Sequence, residues 1–214
     1  MSQPNYIVLI GDLVNSRQLT QRGRVQHDLS ELLDSLSQTH TGAMASPLTL
    51  TLGDEFQAVW HRPAGLWQVI VGLQAGLYPV GVRLSLGLGT LATPINPDAA
   101  LGMDGEAFWH ARAGIDRMKQ SGRRLALTGL PDNSTQWSGP LLAVIDSMTR
   151  TWKANRWYIL EGLLAAQSVP DIADRLGISL QAVYRNIRDG ELRLIMDLFA
   201  LLDTLVQPCF SDKD

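Results

Sequence analysis

The chain is short of cysteine, of charge and of long apolar runs, and each shortage excludes a class of protein. Its 214 residues include one cysteine, Cys209, so no disulfide framework can form within the chain, which points to a reducing compartment. Charged residues make up 18% and the net charge is −3. That balance excludes a globally basic nucleic-acid binder and leaves room for a small local DNA-reading module. No run approaches the roughly 20 apolar residues needed to cross a bilayer. The longest candidate, 192–206, is interrupted by Arg193, Asp197 and Asp203 and reads as an amphipathic helix. The first apolar stretch, 6–10, is too short for the core of a secretory signal and no basic residue precedes it. The expectation is a cytoplasmic protein with no membrane partner. His27, His40, His61 and His110 show no metal-ligand spacing, and neither a nucleophile elbow nor a Walker-type loop is present.

What is present is 45% hydrophobic residues, in a length suited to one ordinary domain with a smaller module. Residues 6–11 form an apolar strand. Val25, Leu29, Leu32, Leu33 and Leu36 then recur at helical spacing. Pro47 opens a strand over 48–52, Gly53-Asp54 makes a turn, and 56–60 returns. Pro63 suits the first turn of a helix carrying Leu66, Val69, Ile70, Leu73 and Leu77 on one face. Strict alternation of Val82, Leu84, Leu86 and Leu88 with Arg83, Ser85, Gly87 and Gly89 predicts a half-buried strand. After a loop over 93–102, Asp104 is placed to cap a helix reaching about Lys119, with Gly122 beyond its end. A last strand covers 124–128. The order β-α-β-β-α-β-α-β predicts an α+β, ferredoxin-like (split βαβ) domain over 1–135. The polar, turn-rich stretch 129–140 is the expected boundary, and 140–210 the expected all-α domain. Trp67, Trp109 and Trp157 fall in helical patterns and are expected in the core.

Two aspartates carry the first candidate site. Asp12 ends the first strand and Asp54 sits in the hairpin turn. In a split βαβ sheet the first strand lies beside the hairpin, so both carboxylates reach one edge, where they repel unless a cation or proton compensates. Hard cations such as Mg²⁺ or Mn²⁺ take one or two carboxylates together with substrate phosphates, which makes Asp12 and Asp54 the candidate metal ligands. The plainer alternative for Gly53-Asp54 is an ordinary two-residue turn. Asn15, Ser16 and Arg17 follow Asp12 and, with Gly53, are candidate phosphate-binding residues. Their plainer alternative is a polar turn that caps the next helix.

The segments Asp12-Leu13-Val14-Asn15-Ser16 and Leu52-Gly53-Asp54-Glu55-Phe56 resemble the two metal-binding segments of class III nucleotide cyclases, and the second also resembles the turn of GGDEF diguanylate cyclases. The strand 83–89, Gly105 and Ala111-Arg112 extend the resemblance over residues 5–128. More narrowly, Gly-Asp-Leu-Val-Asn-Ser-Arg with Gly-Asp-Glu-Phe-Gln resembles the SatD family, which joins such a domain to a C-terminal helix-turn-helix. The resemblance implies a nucleotide-cyclase-like palm and a homodimer that completes its sites across subunits. It makes Arg112 a candidate catalytic residue that stabilises phosphate charge; the alternative is an ordinary exposed arginine. Three departures weigh against cyclisation. Phe108 stands where cyclases orient the ribose with asparagine, Leu50 where they place a purine-selecting lysine, and Leu52 replaces the first glycine of the GGDEF turn.

The second candidate site lies in 168–188. Ile172, Ala173 and Leu176 mark a short helix, Gly177 ends it, Ser179 caps the next, and Val183 and Ile187 face inward. This resembles a helix-turn-helix of the sigma-factor or LuxR type. Gln181, Tyr184, Arg185 and Arg188, with Ala182, lie on the outer face, and glutamine and arginine suit base edges and phosphates. A packing or dimerisation hairpin is the alternative. Local basic residues are nearly matched by acidic ones, so one copy would bind DNA weakly and a dimer better. The helix 192–206 is a candidate dimer surface or a cover for the module's own core. The sequence therefore predicts a regulator that binds a nucleotide or phosphate ligand with metal and binds DNA. The rivals are an active nucleotidyl cyclase or transferase, and a degenerate interaction module.

Overall fold

The computed structural model describes residues 5–16, 21–51 and 53–210. Five strands, β1 (Tyr6–Leu13), β2 (Met44–Leu50), β3 (Glu55–Trp60), β4 (Val82–Gly89) and β5 (Leu125–Thr128), form one sheet in the order β2-β3-β1-β4-β5. All neighbours are antiparallel except β4 and β5. Helix α1 (Arg22–His40) links β1 to β2, α2 (Leu66–Leu77) links β3 to β4, and α3 (Glu106–Ser121) links β4 to β5. The first four strands thus form two interleaved βαβ units, each split by a strand of the other. The fold is mixed α+β, and β1 lies beside the β2–β3 hairpin, the placement expected from the sequence.

The pleat sorts the two faces. Ile7, Leu9 and Leu13 of β1 join Phe56 and Trp60 of β3 in a core with α1 and α2. Val8 and Ile10 point the other way and pack with Val59 against Ala107, Ala111, Ile115 and Met118 of α3. Gly87 is what allows α3 so close to the sheet, because a Cβ there would collide with the Ala107 carbonyl and the Ala111 nitrogen.

Five helices follow β5: α4 (Asp132–Thr149), α5 (Ala154–Leu164), α6 (Val169–Leu176), α7 (Leu180–Asp189) and α8 (Leu192–Val206). Their buried residues, including Ile159, Ile172, Val183, Ile195 and Leu202, are continuous with the core on the α2 side of the sheet. Trp67 of α2 stacks on Phe199 of α8 at 4.7 Å, and its indole N–H donates to Asp203 Oδ1 at 2.7 Å. Burial pushes the Asp203 carboxyl above its ordinary range, against the lowering effect of the indole bond. Helix α8 therefore turns Leu192, Ile195, Leu198, Phe199, Leu202 and Val206 to the interior and leaves Leu194 and Leu201 exposed.

Several boundaries differ from expectation for local reasons. Pro47 lies inside β2, which is an edge strand with register shifts on both sides of Ser46, the setting in which a sheet tolerates proline. Pro63 precedes α2 in a turn completed by Gly65 at φ +75°. Gly105, not Asp104, is the N-cap of α3. Asp104 Oδ1 accepts instead from the Gly105 amide and from the Trp109 indole, each at 2.8 Å. Trp109 is consequently 59% exposed, contrary to its expected place in the core. The polar stretch 129–140 is mostly the first part of α4, which carries Pro140 within it.

Candidate functional site

The site begins with strand register. Gly11 pairs with Phe56, whose ring lies across the bare Cα, so a Cβ at Gly11 would strike it. That contact sets the next pair, Asp12 opposite Glu55, on the α3 face. On the other side Asp12 is opposite Arg83 of β4. Directly opposed residues on antiparallel strands share a face, so Glu55, Asp12 and Arg83 form one row across three strands. Above it α3 contributes Arg112 near its middle and Lys119 in its last turn, two helical turns apart on one side.

Charge pairing in this row is dense. Arg83 Nη1 donates to Asp12 Oδ2 at 2.9 Å, and Lys119 Nζ lies 3.6 Å from the same oxygen. Arg112 grips Glu55 through two bonds of 2.5 and 2.6 Å, the planar fork that arginine offers a carboxylate. The Glu55 hydrogen bond raises the Arg112 pKa above its ordinary value; burial opposes this, and the charges of Glu55, Asp116 and Asp12 add to it. Asp54 differs from both other acids. Among the described residues its carboxylate has no hydrogen bond or ion pair, although its backbone carbonyl accepts from the Leu13 amide at 3.3 Å. Gly53 turns the chain at φ +68°, and Arg22 Nη2 would stand 2.9 Å from a Cβ there. The Gly53 carbonyl accepts from Gln26 Nε2 of α1 at 2.5 Å.

These groups line a cleft of about 760 Å³ that holds three acids, Asp12, Asp54 and Glu55, and four bases, Arg22, Arg83, Arg112 and Lys119. Asn15 and Ser16 complete its wall. Asn15 adopts φ +56°, a left-handed conformation that asparagine tolerates better than most residues. Of the sequence-derived candidates, Asp12, Asp54, Asn15, Ser16 and Arg112 therefore meet in one cleft, and Gly53 shapes its turn. Arg17 lies outside the described residues. Sequence reasoning missed Lys119 and Arg22, and it named Arg83 only as part of a strand. The spacing of Lys119 from Arg112 on one helix face was the available signal.

The donor set tests the expected metal. Among the described residues no group of three or more His, Cys, Asp or Glu side chains is arranged to hold an ion. Asp12 and Asp54 supply carboxylates, but one Asp12 oxygen is engaged by Arg83 and Lys119. Such a set fits a hard cation shared with phosphate oxygens and does not fit a closed protein cage.

The second candidate site has sharp local definition. Ser168 caps α6 by accepting from the Asp171 amide, Gly177 ends it at φ +62°, and Ser179 caps α7 by accepting from the Ala182 amide. Val183 and Ile187 are buried, whereas Gln181, Tyr184, Arg185 and Arg188 are exposed. Arg188 Nε donates to Asp189 Oδ1 at 2.9 Å. Gly162 of α5 admits the Ile172 side chain, which would stand 2.7 Å from a Cβ there.

Among solved structures, a bacterial light-regulated adenylyl cyclase aligns with a TM-score of 0.41 and 15% identity, over 59% of this chain and 77% of that one. The catalytic core of a rhodopsin-guanylyl cyclase with converted specificity, in complex with ATPalphaS, aligns with a TM-score of 0.36 and 16% identity, over 56% and 73%. Both likenesses are too loose to carry functional weight. No curated protein matches the chain. The SatD family profile, in contrast, matches residues 6–195, from β1 into α8, and on that match the chain belongs to the SatD family.

Proposed function

We propose that this protein is a ligand-responsive regulator whose cyclase-like palm binds the phosphates of a nucleotide and whose α6–α7 helix-turn-helix binds DNA. The observation that carries this reading is the cleft at the end of β1, where four cationic side chains surround three acids and, among the described residues, the Asp54 carboxylate has no hydrogen bond or ion pair. A polyanion satisfies the excess of cationic groups. A shared Mg²⁺ or Mn²⁺, held by Asp12 and Asp54, offsets the repulsion between those carboxylates and the phosphates. Within the chain, Arg112 and Lys119 orient the phosphates from above, while Asn15 and Ser16 contact them from the β1 end. Arg112 is bound to Glu55 on both forks, so a catalytic use requires it to exchange that carboxylate for phosphate.

A packed route joins the two sites. Helix α2 lies between the sheet and α5, and α5 supports α6 and α7. A change at the β1 end has a direct course to the Gln181–Arg188 face, and a homodimer would double the DNA contacts. The reading is tested by thermal unfolding with ATP, GTP and cyclic nucleotides, with and without Mg²⁺ or Mn²⁺. A metal-dependent rise in midpoint that is lost in Asp54→Ala supports it. No rise with any nucleotide refutes it. Turnover of a nucleoside triphosphate that is lost in Asp12→Ala and Asp54→Ala would identify an enzyme instead.

A further inference from the structure

We infer that the cleft adjoining the carboxylate site, behind Asn15, receives the base of the same nucleotide and that the base is adenine. The inference rests on the phosphate-binding reading above. Asn15 lines both clefts, so a ligand seated at Asp12 has its next available space on the far side of that residue. The second cleft measures about 550 Å³, a size common for small-molecule sites.

Its polar centre is Gln74 on α2. This side chain is 8% exposed, lines the cleft, and has no hydrogen-bond partner among the described residues. The rest of the side chain is covered, so its carboxamide opens into the cleft with neither donor nor acceptor taken by a described residue. A purine seated with its N7 edge toward Gln74 engages both groups only where that edge carries an acceptor beside a donor. Adenine presents that pair at N7 and N6, which glutamine matches bidentately, whereas guanine presents two acceptors there. The remaining walls suit a flat ring. Trp152 and Trp157 meet edge to face at 4.9 Å, and Tyr78 stands 43% exposed at the rim. Arg124 adds a cationic group that can lie over a ring face.

The test uses the full chain, Mg²⁺, and calorimetric titration with ATP, GTP and inorganic tripolyphosphate. ATP is expected to bind at least about tenfold more tightly than tripolyphosphate, because only ATP adds base contacts. Gln74→Leu should abolish that advantage and leave tripolyphosphate affinity unchanged, which also shows that the variant is folded. Gln74→Glu preserves shape, removes the donor, and should weaken ATP alone. Equal binding of ATP and tripolyphosphate overturns the inference and leaves the phosphate site standing. So does an ATP advantage that survives both variants, and so does a preference for GTP. If neither ATP nor tripolyphosphate binds, the inference and the reading beneath it fall together.

Discussion

Replacing Arg83 with methionine isolates the charge that holds Asp12 in its row. The two side chains are 17% and 11% exposed and 2.9 Å apart. At an effective dielectric of about 20 their gross attraction is about 6 kcal/mol, most of it offset by the cost of removing both charges from water. Deleting one member of such a pair leaves the other charge buried and costs about 3–5 kcal/mol. Lys119 remains 3.6 Å from the same oxygen and is nearly half exposed, so it recovers part of this. The expected loss is about 2–3 kcal/mol. Urea unfolding followed by circular dichroism measures it, and a cycle with Asp12→Asn should give a coupling above about 1 kcal/mol. If Asp12 also holds Mg²⁺, saturation tenfold above the dissociation constant adds about 1.4 kcal/mol. Arg83→Met should gain more from the ion than the parent, since the ion replaces the missing guanidinium. A loss below about 1 kcal/mol, or additive single variants, refutes the assignment of this pair as buried and coupled.

Gly87→Ala should destabilise the fold by about 1–3 kcal/mol through overpacking, since the new methyl group meets the backbone of α3 at Ala107 and Ala111. Because α3 carries Arg112 and Lys119, nucleotide affinity should fall as well, and titration of the folded variant checks this. Ser85→Ala should raise stability by about 1 kcal/mol in urea unfolding, as the Ser85 hydroxyl is buried without a partner among the described residues. Asp203→Asn keeps an acceptor for the Trp67 indole and removes a carboxyl whose pKa burial raises. A folded-state pKa above the unfolded one means the charge penalises the fold above that pKa and the penalty fades as pH falls through it. The variant should therefore unfold at a higher temperature at pH 7 and converge with the parent in acid; a lower midpoint at pH 7 contradicts the reasoning.

Much was legible in the sequence by itself. Three-to-four spacing in α1 and α2 reports which side of an element meets the core, a property local enough to survive without coordinates, whereas β4, whose alternation predicts a half-buried strand, is buried on both faces because α3 packs on its Ser85 and Gly87 side. The place of β1 beside the hairpin followed because split βαβ units have few ways to arrange their connections. The cap Ser179 and the turn at Gly177 placed α7 and the end of α6, since capping uses residues within one turn; the Ser168 cap came only with the structure. Asp12 and Asp54 were legible as a pair because strand end and hairpin turn must meet in such a sheet. What the tertiary structure alone decided is pairing and burial at a distance. Phe56 across Gly11 determines the register that puts Glu55 beside Asp12, and the close seat of α3 on Gly87 brings Arg112 and Lys119 over that row. Trp109 lies on a helical pattern yet stays exposed because its indole finds Asp104. The stack of Trp67 on Phe199 joins residues that no local pattern relates. Periodicity reports which face a residue occupies; packing between distant segments decides what stands opposite.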